Sequence, residues 1–155
     1  MIASYFFEIS PWETFLIRRK HYQAGIRFAR KHNLKVAVKA SGHDYLGRST
    51  AKNSFLLWTH YFQNITFHES FTVAGKDQGS AVTVGSGVGL HTLYQASKLQ
   101  GKIYVGGSAV TVAPAGGYIQ GAGHSALSPS MGLAADNALG EATDMLGVYL
   151  FLLYP

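Results

Sequence analysis

The chain contains no cysteine. Disulfides, thiolate catalysis and cysteine-ligated zinc are therefore excluded. Acidic residues are also scarce. There are 8 Asp and Glu against 13 Lys and Arg, a formal net charge of +5. A basic balance draws polyanions in general. No RNA- or DNA-binding motif accompanies it, so no nucleic-acid partner is expected. The cations gather at Arg18, Arg19, Lys20, Arg27, Arg30, Lys31 and Lys35, where they read as the solvated face of a helix. No apolar run reaches the ~18 residues of a membrane span, and no membrane partner is expected. Met1 to Ile17 is apolar and aromatic, but Glu8, Pro11 and Glu13 interrupt it. It lacks the basic start and small-residue cleavage site of a secretory signal. His21, His32, His60, His68 and His91 show no metal-ligand spacing, and no metal is expected. The G-x-S-x-G elbow of serine hydrolases is missing. Gly85-Ser86-Gly87-Val88-Gly89 lacks both the spacing of the dinucleotide fingerprint and the lysine of a P-loop.

What the chain has in excess is glycine, 18 in 155 residues, where about 7% is usual. The glycines cluster rather than spread, which favours tight backbone work over a flexible linker. Nearly half the residues are apolar, enough for one domain with a sizeable core. The chain is organised around Val36 to Ser49, VAVKASGHDYLGRS. A β-branched run ends there in a loop holding Ser41, Gly42, His43, Asp44, Gly47, Arg48 and Ser49. Such a loop is one way to present backbone N–H groups to an anion. Read on local physics alone, it is equally an ordinary turn with His43 at the surface. A second stretch, Gly106 to Leu139, repeats the pattern: an apolar run, a glycine cluster (Gly116, Gly117, Gly121, Gly123) and a glycine-flanked His124.

The elements can be placed in order. Phe6, Phe7, Ile9, Trp12, Phe15, Leu16 and Ile17 suit either core packing or a strand, while Ser10-Pro11-Trp12-Glu13 could open a helix. Tyr22, Ile26 and Ala29 fall at helical spacing, predicting a helix over Tyr22–His32 that ends at a left-handed Asn33. Strands are expected at Leu34–Lys39, Phe55–Trp58, Ile65–Phe67, Ala81–Val84 and Lys102–Val105, and a turn at Ala74–Gly79. Leu90, Leu93, Tyr94 and Ser97 give a helix stopped by Gly101. Gly116–Gly123 reads as a helix start whose Gly117 and Gly121 share one face, leaving room for something flat. Val148–Leu153 is unbroken apolar chain, either a buried terminal strand or an exposed, aggregation-prone patch.

Three motifs in order carry a resemblance: Ser41 to Ser49 (SGHDYLGRS), Ala81 to Tyr94 (AVTVGSGVGLHTLY) and Gly116 to Asn137 (GGYIQGAGHSALSPSMGLAADN). Together they resemble the FAD-linked oxidases of the vanillyl-alcohol oxidase and p-cresol methylhydroxylase (PCMH) superfamily, nearest its berberine-bridge-enzyme-like branch. The resemblance runs roughly from Tyr22 to Leu139. It implies an α+β fold, a PCMH-type FAD-binding domain of two small α/β subdomains, incomplete at both ends. Its divisions are 1–20 as an unassigned N-terminal segment, 21–140 as the partial FAD-binding domain and 141–155 as a divergent apolar tail.

The resemblance also implies a site. The first glycine loop holds the FAD pyrophosphate by backbone N–H groups, with Ser41, Gly42, Asp44, Gly47 and Ser49 contributing. His43 stands where relatives bond covalently to the 8α-methyl carbon of the isoalloxazine. Gly106, Gly107, Thr111, Gly116, Gly117, Gly121, Gly123, His124 and Asp136 complete the expected cofactor contacts. For His124 a backbone-satisfied turn histidine, and for Asp136 a turn or cap, stand beside those roles. Some relatives make a second bond through a cysteine. Ala109 occupies that position here, so the flavin is expected to be singly covalent. Ala113-Pro114 and Ala122 replace common glycines, and Pro114 deletes one N–H donor.

The implied chemistry is hydride transfer from a small organic substrate to FAD, then to dioxygen. The substrate domain that supplies acid and base groups in relatives has no counterpart here. The chain therefore reads as a fragment, with no catalytic residue of its own and low expected solubility. Two other readings stay open at this level: a truncated, non-catalytic remnant, and a basic anion-binding module without flavin.

Overall fold

The computed structural model describes residues 12–15, 19–141 and 149–155. The first subdomain is a three-stranded parallel sheet with one helix. Strand β1 (Trp12–Phe15) is followed by helix α1 (Arg19–Lys31), β2 (Lys35–Lys39) and β3 (Ser54–Trp58), with β3 between the other two strands. Helix α1 starts near Arg19, a turn earlier than its apolar period suggests. It ends as expected, with Asn33 left-handed at φ 51 and the Leu34 N–H donating to the Ala29 carbonyl (2.9 Å). Tyr22 and Ala29 pack on Phe55 and Leu57. Gly25 lets helix and strand approach: a Cβ there would lie 2.8 Å from Leu57 Cδ2.

Of the alternatives for the opening segment, the strand holds over Trp12–Phe15: β1 pairs parallel to Phe55–Trp58, and no helix opens at Trp12-Glu13. β3 is buried along most of its length, and an exposed helix could not shield its second edge from solvent. Ser10 and Pro11 lie outside the described residues.

The second subdomain is an antiparallel sheet in the order β4 (Ile65–His68), β7 (Ala81–Val84), β9 (Tyr149–Leu152), β8 (Ala138–Glu141). The expected turn at Ala74–Gly79 is a two-residue hairpin joining β5 (Thr72–Val73) to β6 (Lys76–Asp77). Ala74 and Gly75 both take positive φ, the geometry that suits strand twist. The Asp77 carboxylate accepts from Gly79 N–H (2.9 Å) and Ser70 Oγ (2.8 Å) behind it. Helix α2 (Leu90–Leu99) seals the sheet with Leu90 and Leu93, and the core continues through Val82, Val84, Val88, Tyr104, Ile119 and Ala134 to Phe151.

Of the two readings of the apolar run near the end, the buried strand holds: β9 lies between β7 and β8, and Phe151 is fully buried opposite Val82. The 141–155 tail is thus partly sheet. One expectation changes. Lys102–Val105 is not a strand, because β9 already has neighbours on both sides. Ile103 makes only an isolated bridge with Tyr154, through bonds of 2.8 and 3.1 Å.

The subdomains meet at Gly85-Ser86-Gly87. Gly85 N–H donates to Asn64 O and Gly87 N–H to Phe62 O, each at 2.9 Å. A Cβ on Gly87 would stand 2.6 Å from the Thr59 carbonyl oxygen. The glycine run that looked superficially like a nucleotide loop is a packing joint.

Replacing Phe151 by Ala removes the side chain joining β9 to the core. We expect a loss of about 3–5 kcal/mol in chemical denaturation. A loss under about 1 kcal/mol would mean that β9 is not docked as described.

Candidate functional site

The site grows from the end of β2. Lys39 O accepts the Thr59 N–H (2.9 Å), Ala40 O accepts Trp58 Nε1–H (2.9 Å), and Lys39 Nζ sits 3.9 Å from the Trp58 ring centre. The strand end is therefore fixed to its neighbour before the loop begins. Gly42 then takes φ 92, in the region that favours glycine. The backbone N–H groups of Gly42, His43 and Asp44 find no acceptor among the described residues. Beyond them the loop closes on itself. The Asp44 carboxylate accepts from Arg48 Nε (3.0 Å), Arg48 Nη2 (2.6 Å) and the Arg48 N–H, and Gly47 N–H donates to Asp44 O (3.1 Å). The Arg48 hydrogen bonds hold the Asp44 carboxyl below its ordinary range. Asp44 thus neutralises Arg48, and the loop's positive character lies in its free amides.

The facing wall is the segment after Gly106-Gly107. Val112 O and Val110 O accept the N–H groups of Leu90 and His91, each at 2.8 Å, satisfying first-turn amides of α2. Pro114–Tyr118 forms a wide turn, not the regular helix start expected at Gly116–Gly123. Gly116 at φ −146, ψ −138 breaks helical geometry because the backbone there passes against Ala40. A Cβ on Gly116 would lie 2.8 Å from Ala40 Cβ.

Three contacts bind wall to loop. His43 Nε2 lies 2.8 Å from Thr111 Oγ1, Ala113 N–H donates to Ser41 Oγ (3.2 Å), and Gly116 packs on Ala40. Between the walls lies a cleft of about 730 Å³, within the usual ligand-site range of about 300–1,000 Å³.

The sequence-predicted residues divide. Ser41, Gly42, His43, Asp44 and Ser49 line the cleft from the loop, and Gly117 and Gly121 from the wall. Gly121 N–H donates to Gly117 O (3.0 Å), so the two stack one turn apart, and nothing lies within 4 Å of where a Gly117 Cβ would be. Thr111 joins through His43. Gly47 takes φ 73 in the turn behind the loop.

The others lie outside the lining. Gly106 is packed against Tyr104, Tyr94 and Leu90, and Gly107 O accepts the Tyr94 hydroxyl (2.6 Å). Gly123 at φ 69 packs on Ala134. His124 offers its carbonyl to the Tyr118 hydroxyl (2.9 Å), and its ring is exposed. Asp136 Oδ2 accepts the Leu133 N–H (2.8 Å), the turn role that Asp commonly takes.

Pro114 is buried away from the lining, so its missing N–H removes no donor from the cleft. Ala122 stands outside too; its left-handed φ of 73 strains its own backbone rather than crowding the cleft.

Sequence reasoning missed Ala40, Tyr45, Leu46 and Tyr118 among the lining residues. Tyr45 and Leu46 carried a signal, large apolar side chains in a polar loop between two glycines, and both are exposed. Burial, and then the nearby Tyr94, push the Tyr118 hydroxyl up to about 12.

A cleft between a parallel and an antiparallel subdomain is the arrangement that the resemblance to a PCMH-type FAD-binding domain leads one to expect. A family model described as an FAD binding domain matches residues 18–141, and the chain belongs to that family. It is 46% identical over 121 residues to an uncharacterized FAD-linked oxidoreductase of Arthroderma benhamiae, covering 76% of this chain and 21% of that protein. It is 44% identical over 117 residues to the VAO-type flavoprotein oxidase VAO615 of Thermothelomyces thermophilus, covering 76% and 20%. The crystal structure of VAO-type flavoprotein MtVAO615 from Myceliophthora thermophila C1 superposes with a TM-score of 0.83 at 31% identity, covering 92% of this chain and 31% of that one. A berberine bridge enzyme variant in complex with (S)-reticuline shares the fold at a TM-score of 0.76 and 20% identity, covering 95% and 35%. The chain spans about a fifth of the length of the curated relatives it matches. Over its FAD binding domain the chain is thus similar to VAO-type flavoproteins, and it shares the fold of berberine bridge enzyme.

The residues present fit FAD. Three unpaired amides suit a pyrophosphate, a bare glycine wall at Gly117 suits a flat ring, and the cleft is of ligand size.

Ala122→Gly relieves a left-handed alanine. We expect a gain of about 1 kcal/mol by denaturant titration, and a loss would contradict that backbone geometry. Tyr118 gives a pH dependence. Below pH 10 its hydroxyl is protonated in folded and unfolded chains alike. Between 10 and about 12 only the folded chain keeps the proton, so stability falls across that window. Tyr118→Phe is expected to shallow the alkaline unfolding slope; an unchanged slope would place that dependence elsewhere.

Proposed function

We infer that this chain is the flavin-holding part of an oxidase that takes a hydride from a small organic substrate and delivers the electrons to dioxygen. Bound FAD supplies the two-electron acceptor for that chemistry. The amides of Gly42, His43 and Asp44 hold the pyrophosphate, and Gly117 and Gly121 admit the ring. His43 carries the single covalent link to the 8α carbon, and with no cysteine in the chain a thioether link cannot form beside it. The observation that carries this reading is the position of His43, at the cleft and pinned through one ring nitrogen to the opposite wall. A fixed imidazole is placed to react with a group lying in that cleft.

Because the chain spans about a fifth of its relatives' length, substrate binding and acid–base chemistry are assigned in this reading to a part of the protein outside these 155 residues. By itself the chain is expected to hold flavin without turnover. Its divisions follow the same reading: a leading segment to residue 20, the flavin-binding domain over 21–140, and a terminal segment from 141.

The test is an absorbance spectrum of the purified chain before and after acid precipitation, beside His43→Ala. Yellow colour that stays in the precipitate, and leaves with the supernatant in the variant, is the expected result. A colourless folded chain would overturn the reading. Turnover by the chain alone would overturn its dependence on a further domain.

A further inference from the structure

We propose that Thr111 is a positioning residue for His43, holding the ring through Nε2 so that Nδ1 is the nitrogen that bonds to the flavin. This rests on the covalent role given to His43 above.

The contact spans 68 residues of sequence at 2.8 Å. Thr111 is firmly placed, because carbonyls on either side of it are pinned. Val110 O takes the His91 N–H and Val112 O the Leu90 N–H, each at 2.8 Å. The His43 loop is held to the same segment by Ser41, whose Oγ accepts the Ala113 N–H (3.2 Å). With both backbones fixed, one hydrogen bond to the imidazole settles which way the ring faces.

The Thr111 hydroxyl can donate or accept, so the contact alone leaves the tautomer open, and in the proposed state Nε2–H is the donor. A neutral imidazole carries one N–H and one lone pair, and the bond made by one nitrogen decides the state of the other. When Nε2–H donates to the Thr111 hydroxyl, Nδ1 keeps its lone pair. No acceptor among the described residues holds a proton on Nδ1. Bond formation then balances as follows. The Nδ1 lone pair goes to the 8α carbon, and that carbon gives up one proton. Nε2 gives up its proton past the Thr111 hydroxyl to solvent, which reaches Thr111 at the surface. The two electrons released stay on the flavin and pass to dioxygen, which becomes hydrogen peroxide with the two protons.

The test uses the whole chain, Thr111→Val, Thr111→Ser and His43→Ala. Nitrogen NMR of the flavin-free chain is expected to show His43 with the proton on Nε2. Thr111→Val should mix the two tautomers and Thr111→Ser should restore the single one. After FAD is added, acid-stable flavin is expected to form roughly tenfold or more slowly in Thr111→Val, a positioning loss. Thr111→Ser should stay near the unsubstituted rate. An unchanged tautomer, or an unchanged rate, in Thr111→Val would overturn the role of Thr111 alone. Flavin that is never acid-stable in the unsubstituted chain, or that stays acid-stable in His43→Ala, would overturn the covalent role of His43 and this proposal with it.

Discussion

The geometry of the cleft depends on one joint, the close approach of the Gly85-Ser86-Gly87 backbone to the Thr59–Asn64 segment. Here the antiparallel sheet is set against the parallel one. The glycines allow carbonyl oxygens of Thr59, His60 and Phe62 into space that a Cβ would fill. Magnitudes show which contact governs. The exposed His43–Thr111 bond and the half-buried Ser41–Ala113 bond contribute about 0.5–1.5 kcal/mol each, too little to hold two subdomains together. A backbone collision at Gly87 would instead force the subdomains apart. The joint therefore sets the spacing of the walls, and the cross-cleft hydrogen bonds set their orientation.

Within that frame the glycines do two kinds of work. Gly25, Gly85, Gly87, Gly106 and Gly123 are where other atoms come too close for a side chain. Gly42 and Gly117 leave backbone or open space facing the cleft, and Gly42 also takes a left-handed φ. Gly116 belongs with the first group, since a Cβ there would meet Ala40, a lining residue. A glycine-rich sequence here marks crowding at least as often as it marks ligand contact.

That mixture explains what could be read from the sequence. The Ser41–Ser49 loop, the α1 stop at Asn33 and strand β7 follow from local chemistry: a left-handed turn residue or a β-branched run. β1 and β9 were harder, because what makes Trp12–Phe15 and Tyr149–Leu152 strands is the buried β3 and β7 beside them. Lys102–Val105 carried a strand pattern but pairs only through the isolated Ile103–Tyr154 bridge. Gly106, Gly107, Gly123, His124 and Asp136 sit in motifs of the right kind, yet packing and turn formation account for their contacts in this structure. Tyr118 lines the cleft through a fold-dependent turn that no periodicity announces.

The central claim is that the amides after β2, facing the Gly117–Gly121 wall, hold FAD. Its most direct measurement is a nitrogen–proton amide spectrum of the chain titrated with FAD. The largest shifts are expected at Gly42, His43 and Asp44, with Gly117 and Gly121 moving at the same concentration. Shifts confined to the basic face of α1, around Arg27, Arg30 and Lys31, would contradict the claim and leave a polyanion-binding surface in its place.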